Sequence, residues 1–368
     1  MSVPNILRIN SQLPAVIAFG NPLLDIITKI NGNDILLKYN LKIDGQSELS
    51  TDETEKLLQD LQPESEHIVA PGGCAQNTLR ILQWLCGGPH HPHIGVFYGS
   101  IGNDARGSTL EKLVLADGVD VHYAVHPSLP TGFSINIISD NSWRSLVANL
   151  GAASEYSLYN LHNIKLPLET VRIIYIEGFF ITHSHDVAKE ICKMVHGKDV
   201  IIAFNLSGEY AFTDHYKQII EMVGMSRIVF GNVNEMKALA QFLNIQFQNV
   251  ENIPFLLNSV TRVTVNITDS ESKDWLATSG VFVMTQGGDG PATVVWGQGN
   301  SAQVHPIIPK APIIDTTGAG DALVAGFLAG VLARKDPKTC LEWGCQTASL
   351  IVTKLGVTVP SGTPDFLD

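Results

Sequence analysis

The sequence predicts an α/β protein built on a mostly parallel sheet, and two observations predict it. From Arg172 onward short apolar strands, Ile173–Ile176, Val200–Phe204, Ile228–Phe230 and Val281–Met284, alternate with segments of helical period. That is the pattern of strand, crossover helix and parallel strand. At the front, Ala15–Phe19 is a continuous apolar run that stops at Gly20-Asn21, as a buried strand does where it feeds a loop. Ligands of such sheets sit beyond the carboxyl ends of the strands. Polar residues fall there: Asn21, Asp25, Glu177, Asn205, Asn232 and Thr285.

The remaining elements follow in order. Residues 26–50 are polar and mixed, without a long period. Thr51 or Asp52 is expected to cap a helix through about Leu61, with Glu55 near the reciprocal position. Pro71-Gly-Gly-Cys-Ala-Gln-Asn77 is a cluster of small residues that opens a helix with Leu79, Ile81, Leu82, Trp84 and Leu85 on its apolar side. Ile94–Gly102 reads as a strand and turn, Ala105–Ala116 as a helix, and Val119–Val125 as a strand. Thr131–Ser139 and Arg144–Asn149 flank Asp140-Asn-Ser-Trp143 as a hairpin. His90-His-Pro-His93 and His183-Ser-His185 read as loops, the second leading into a helix, rather than as metal ligands. Val263–Ile267 has a strand pattern and Asp269–Asp274 a loop pattern.

Composition narrows the function classes. The 368 residues are 45% apolar and 16% charged, enough for one large domain or two smaller ones. A net charge of −12 argues against a nucleic-acid partner, and a phosphate ligand would need local donors or Mg²⁺ against that field. Five cysteines without zinc spacing suit free thiols in a reducing compartment. No apolar run of membrane length and no basic start followed by an apolar core are present, so a soluble, cytoplasmic protein is expected.

The segment most suggestive of chemistry is Asp315-Thr-Thr-Gly-Ala-Gly-Asp321, followed by Leu323, Val324, Phe327, Leu328, Val331 and Leu332 at helical spacing. Small residues at a helix start let a ligand approach N–H groups that have no intrahelical partner, and the dipole favours an anion there. A carboxylate in the first turn can take a proton from a hydroxyl held beside that anion. The plainer reading is a tight turn and an ordinary first-turn acid. Neither a Gly-x-x-x-x-Gly-Lys-Ser/Thr loop nor a Gly-x-Gly-x-x-Gly turn occurs, which disfavours P-loop ATPases and dinucleotide dehydrogenases.

Gly72-Gly73 with Asn77, followed far downstream by Asp315–Asp321, resembles the paired signature of the ribokinase-like (PfkB) family of sugar and nucleoside kinases. Further segments resemble the family's adenosine-phosphorylating branch: Gly20-Asn-Pro-Leu-Leu-Asp25, Pro130-Thr-Gly132, Arg144-Ser-Leu-Val-Ala-Asn-Leu150, Gly178-Phe-Phe180, Asn205-Leu-Ser207, Phe230-Gly-Asn232 and Thr285-Gln-Gly287. The resemblance implies a three-layer ribokinase-like core (residues 1–22, 71–126 and 153–368) and a small α+β lid (23–70 and 127–152). It also implies that the lid closes over the substrate, and that a monomer transfers the γ-phosphoryl group of ATP, with Mg²⁺, to the 5′-hydroxyl of adenosine.

Residue by residue, the resemblance makes Asp321 the general base and the N–H groups of Gly318, Ala319 and Gly320 the anion hole, with Arg144 neutralising phosphate. It assigns Asp25, Gly73 and Asn77 to the ribose, Asn21 and Gly72 to the substrate, and Gln46, Leu146 and Phe179 to the base. Asn232, Glu235, Thr285, Gly287 and Thr317 fall to the nucleotide, with Glu235 reaching Mg²⁺ through water. Read without the resemblance, Leu146 and Phe179 are core residues, Arg144 is a solvated hairpin charge, and Asn-x-x-Glu is a common pairing. Phe133-Ser-Ile-Asn-Ile137 departs from the family's smaller lid residues, and Cys74 reads as a buried neutral thiol. A kinase for ribose or another nucleoside, and a binding protein without turnover, stay open.

Overall fold

A computed structural model describes residues 12–43, 45–61, 67–138, 144–208, 211–265, 275–276 and 280–367, without the side chains of Gln46, Arg144, Ala211 and residues 262–265. Among them, nine strands form the large sheet. In spatial order they are Asn300–Val304, Ala292–Trp296, Val281–Thr285, Ile228–Asn232, Ile201–Asn205, Ile173–Glu177, Val16–Phe19, Gly95–Gly102 and Asp120–His126. The first three strands pair antiparallel in succession, and every other pairing is parallel.

Val16–Phe19 shows why three layers form. Its residues alternate between two apolar cores: Val16 and Ala18 enter one, Ile17 and Phe19 the other, because successive side chains of a strand point to opposite faces. Helices Cys74–Leu85, Ala319–Leu332 and Pro337–Ile351 cover the first face, and Gly178–Val195, Ala211–Met225 and Val233–Phe242 the second. From Val16–Phe19 the chain builds outward first through Gly95–Gly102 and later through Ile173–Glu177. The strand order therefore reverses beside Phe19, and a crevice opens beyond the strand ends there. Gly20-Asn21 and Glu177 stand at its floor.

The small sheet runs Gln46–Glu48, Arg144–Gly151, Thr131–Ile138, Leu23–Lys29, His67–Gly72. Alternation again sorts its side chains: Leu23, Asp25, Leu146, Ala148 and Leu150 line the crevice, while Leu24, Ile26 and Val147 are buried in the core. Asp104 ties the two sheets together. It caps the helix Ala105–Ala116 through Gly107 N (2.8 Å) and also accepts from Thr131 N (2.8 Å) and Thr131 Oγ1 (2.7 Å).

Several expectations are corrected. The helix Thr51–Leu61 is preceded by Ser50, which exchanges hydrogen bonds with Glu53; the cap lies one residue earlier than read, and Glu53 rather than Glu55 reciprocates. Residues 26–50 contain most of the strand Leu23–Lys29 and a short helix, Asp34–Lys38. His183–His185 lies inside the helix Gly178–Val195, which kinks at Ser184. Residues 263–265 end the helix Ile253–Val265 instead of starting a strand; the β-branched run misled because helix packing overrides strand propensity. Residues 266–274, the hairpin turn 140–143 and the N-terminal residues 1–11 lie outside the described residues.

Ala319–Leu332 is buried all round from Asp321 to Leu332 rather than on one stripe, because it is wedged between the helices Cys74–Leu85 and Pro337–Ile351. Glycines make that approach possible. A Cβ on Gly326 would lie 2.5 Å from Trp343 O and 2.5 Å from Thr347 Oγ1. Gly326→Val is expected to cost about 1–3 kcal/mol or more, since overpacking here meets backbone. A urea midpoint unchanged from wild type would contradict this packing. No helix of the described residues is long and apolar enough to cross a membrane.

Candidate active site

Two glycines set the near wall. A Cβ on Gly72 would lie 2.0 Å from Asp25 Oδ1, so only glycine leaves room for that carboxylate. Gly73 has φ +90°, and its Cβ would lie 2.2 Å from Asn21 O, a position closed to other residues on both counts. Asp25 is buried and accepts from Ser134 Oγ at 2.6 Å. Asn21 is 3% exposed, yet neither atom of its side-chain amide has a partner among the described residues. A buried amide left unmade is costly, so water or a bound molecule in the cavity is what would satisfy this one.

Asp321 forms the opposite wall. Gly318 takes the left-handed cap position at φ 73°, and Asp321 follows in the first turn of Ala319–Leu332. Asp315 holds the turn in shape, accepting from Thr317 N (2.9 Å), Thr317 Oγ1 (2.6 Å) and Gly356 N (2.9 Å). A Cβ on Gly320 would meet nothing within 4 Å, so open space faces the first-turn N–H groups that a helix leaves without partners. The walls meet where Asn77 Nδ2 donates to Asp321 Oδ2 at 3.2 Å. Arg80 Nη1 donates to Asn77 Oδ1 at 3.0 Å and Arg80 Nε pairs with Asp117 at 2.6 Å, which fixes the amide with its NH₂ toward Asp321.

Glu177, to which the sequence motifs assign no role, is the floor. Its oxygens accept from Asn21 N and Ala75 N, both at 2.6 Å, joining the strand-end loop to the helix Cys74–Leu85. Burial pushes its carboxyl up to about 8, the two backbone hydrogen bonds work against that rise, and the Asp321 charge adds to it. A raised acid stabilises the fold fully below its ordinary value of 4.5 and loses that contribution as pH rises through about 8. The loss is on the order of 5 kcal/mol. Glu177→Gln is expected to flatten this slope between pH 4.5 and 8; melting curves of both proteins across that range check it, and parallel pH profiles would refute it. Burial, then the carboxylates of Asp321, Glu177 and Asp25, push the Cys74 thiol up, so it stays neutral.

These walls enclose a cavity of about 580 Å³, within the range of small-molecule sites. It gathers Asn21, Asp25, Gly73, Asn77, Leu146, Phe179, Thr317, Gly318, Ala319, Gly320 and Asp321, and adds Glu177, Ser134, Thr182, His183, Asp214 and His215, for which the sequence reading had no role. Phe179, Thr182 and His183 share one helix face at spacings of three and four, a signal the sequence carried. Gly72 stands behind Asp25. Asn232 and Glu235, at the end of a neighbouring strand, do not line the cavity. Asn232 is the N-cap of Val233–Phe242 rather than a residue on its face, and Glu235 accepts from Asn232 N and Nδ2, both at 2.8 Å. Thr285 pairs beside Asn232, and Gly287 sits in the following turn at φ +60°. The side chains of Gln46 and Arg144 lie outside the described part of the molecule.

Among the described residues no cluster of three or more His, Cys, Asp or Glu side chains is arranged to hold a metal ion. Glu235 is the carboxylate beside Asn232 at the end of the strand Ile228–Asn232, and a carboxylate offers the hard oxygen donors that Mg²⁺ takes, directly or through its water shell.

Comparison with known proteins adds the following. The pfkB family carbohydrate kinase pattern matches residues 48–364. Adenosine kinase 2 of Arabidopsis thaliana is 28% identical over 359 residues, covering 95% of this chain and 97% of its own. Adenosine kinase of Dictyostelium discoideum is 28% identical over 352 residues, with coverage of 95% and 97%. Among solved structures, adenosine kinase from Schistosoma mansoni in complex with adenosine superposes with a TM-score of 0.80 at 26% identity, covering 95% of this chain and 97% of that one. Anopheles gambiae adenosine kinase in complex with P1,P4-di(adenosine-5) tetraphosphate gives 0.79 at 26%, covering 95% and 100%.

Proposed function

This chain belongs to the pfkB family of carbohydrate kinases, and from that premise we propose that it is an ATP-dependent phosphotransferase acting on adenosine. The γ-phosphoryl group passes to the 5′-hydroxyl, giving AMP and ADP. One observation carries the reading: the Asn77–Asp321 pair, the open helix start at Gly318–Gly320 and the Asp25 cup all face one cavity with an apolar sleeve.

The chain's own groups divide the work. Asp25 accepts from ribose hydroxyls, and the Asn21 amide gains the partner it lacks. Asp321 takes the proton of the 5′-hydroxyl as the oxygen attacks, with Asn77 steadying its second oxygen. N–H groups of Gly318, Ala319 and Gly320 meet the charge on the transferring group as fixed dipoles in a site with little water. Arg144 approaches from the hairpin to balance phosphate charge. Leu146 and Phe179 flank the base, with Gln46 at its edge. Asn232, Glu235, Thr285, Gly287 and Thr317 serve the ATP side. Glu235 would hold Mg²⁺, through water, and the ion would supply charge neutralisation on the ATP phosphates.

Residues 23–70 and 127–152 act as a lid that excludes water. A monomer is the working unit on this reading. Free thiols at all five cysteines suit a cytoplasmic setting.

A ribose kinase needs no apolar sleeve, and Leu146, Ala148, Leu150 and Phe179 supply one here. Mg²⁺-ATP-dependent ADP release by the purified protein decides the matter. Adenosine is expected to turn over, with ribose and 5′-deoxyadenosine inactive. Equal turnover of ribose would overturn the nucleoside assignment, and adenosine binding without ADP release would leave a binding protein.

A further inference from the structure

The cavity has two ends. Asp25, Glu177 and Asp321 occupy the inner one, joined by hydrogen bonds through Asn21, Ala75 and Asn77 or packed against Gly72. The cavity's solvent side holds the exposed Glu48, His183 and Asp214 and the half-buried His215. Its polarity is unlike that of the sleeve between, made by Leu146, Ala148, Leu150 and Phe179.

Two irregular helices present the imidazoles. Gly178–Val195 leaves helical geometry at Ser184 (φ −122°), whose Oγ donates to Tyr156 O at 2.7 Å. Ala211–Met225 does so at His215 itself (φ −119°). His215, and His183 next to the Ser184 break, line the same cavity. His183 stands about 7 Å along the helix axis from Gly178, at 1.5 Å per residue, and so about one and a half turns outward from Glu177. Neither ring has a hydrogen-bond partner among the described residues, and His215 Nδ1 is buried without one. Desolvation by the cleft walls holds the His183 imidazole below its ordinary value, against the opposing pull of Glu48; an uncharged ring has one donor and one acceptor nitrogen.

Resting on the nucleoside reading above, we infer that His183 and His215 read the polar edge of the purine, and that the cavity accepts 6-oxopurine ribonucleosides as well as adenosine. A nucleoside with its 5′-hydroxyl at Asp321 and its ribose at Asp25 lays the base along Leu146 and Phe179, with its edge toward the two histidines. A neutral imidazole with no fixed tautomer donates to a 6-oxo group in one form and accepts from a 6-amino group in the other. A wall of two such rings does not strongly reject either substituent. A wholly apolar wall would leave the polar edge of either base without a partner.

The test is calorimetric titration of adenosine, inosine and purine riboside, which has no 6-substituent, onto the full-length protein. Binding needs no turnover, so the result is independent of whether phosphoryl transfer occurs; ADP release by the wild type tests that separately. Inosine is expected to bind within a hundredfold of adenosine. His183→Leu and His215→Leu are each expected to weaken adenosine and inosine about tenfold while purine riboside shifts less than threefold, and His183→Gln to recover most of the loss. Inosine weaker than adenosine by more than a hundredfold would overturn the inference. So would equal weakening of purine riboside, which marks a merely structural role. His183 is exposed to the cleft, so the variants at that position retain the fold, and melting temperatures check this.

Discussion

Asp321→Asn is expected to lower kcat for adenosine by about 10²–10⁴-fold, the usual contribution of a general base, while adenosine still binds. The substitution keeps the size of the side chain and its place in the first turn. It removes the one group at the meeting of the two walls that can take the hydroxyl proton. Asn77 constrains the outcome further, because its NH₂ already points at Asp321 Oδ2. An asparagine there must turn its own carbonyl toward that donor, which leaves its NH₂ where the basic oxygen stood. Rapid-quench measurement of AMP formation, beside adenosine binding by calorimetry, separates the two effects. Turnover within tenfold of wild type would remove Asp321 from the reaction and leave it as a helix-start acid.

Gly72→Ala is expected to raise the KM for adenosine about 10–100-fold with only modest loss of thermal stability. The obstacle to the new methyl is the carboxylate of Asp25, 2.0 Å away, and a side chain can turn aside where backbone cannot. Asp25 then leaves Ser134 and the ribose position, and a hydrogen bond to a charged group is worth about 1.5–3 kcal/mol, or roughly the stated factor. Gly73→Ala is the informative partner. Its methyl meets the backbone at Asn21 O, and φ +90° is strained for alanine, so the melting temperature falls along with activity. A Gly72→Ala protein with wild-type KM would show that Asp25 does not hold the nucleoside. Equal melting losses in the two variants would show that both glycines serve only the fold.

Much of the site was legible because its chemistry is concentrated in short segments. Gly72-Gly73 and Gly318-Ala319-Gly320-Asp321 mark places where backbone must come close to something, and only small residues allow that. The alternating strands and helices from Arg172 onward established the parallel sheet. Glu177 ended an apolar strand and stood out as a polar group, yet nothing local said that its two oxygens would join Asn21 to Ala75, residues 156 and 102 positions away. His183-Ser-His185 read as a loop because its kink and its helix both depend on packing.

Local pattern therefore determined the parallel strands of the large sheet and the pair Thr131–Ile138 and Arg144–Gly151, the helix that begins at the Gly-Ala-Gly turn, and the identity of the carboxylate in its first turn. Tertiary structure alone decided that Asn77 faces Asp321 across 244 positions of sequence, and that Arg80 orients that amide. It also decided that the pair Asn232–Glu235 closes on itself as a helix cap, and that two imidazoles line the same cavity as the apolar sleeve. Hydrogen bonds and contacts of that kind depend on distance in space. Periodicity and turn chemistry report only the few residues on either side of a position.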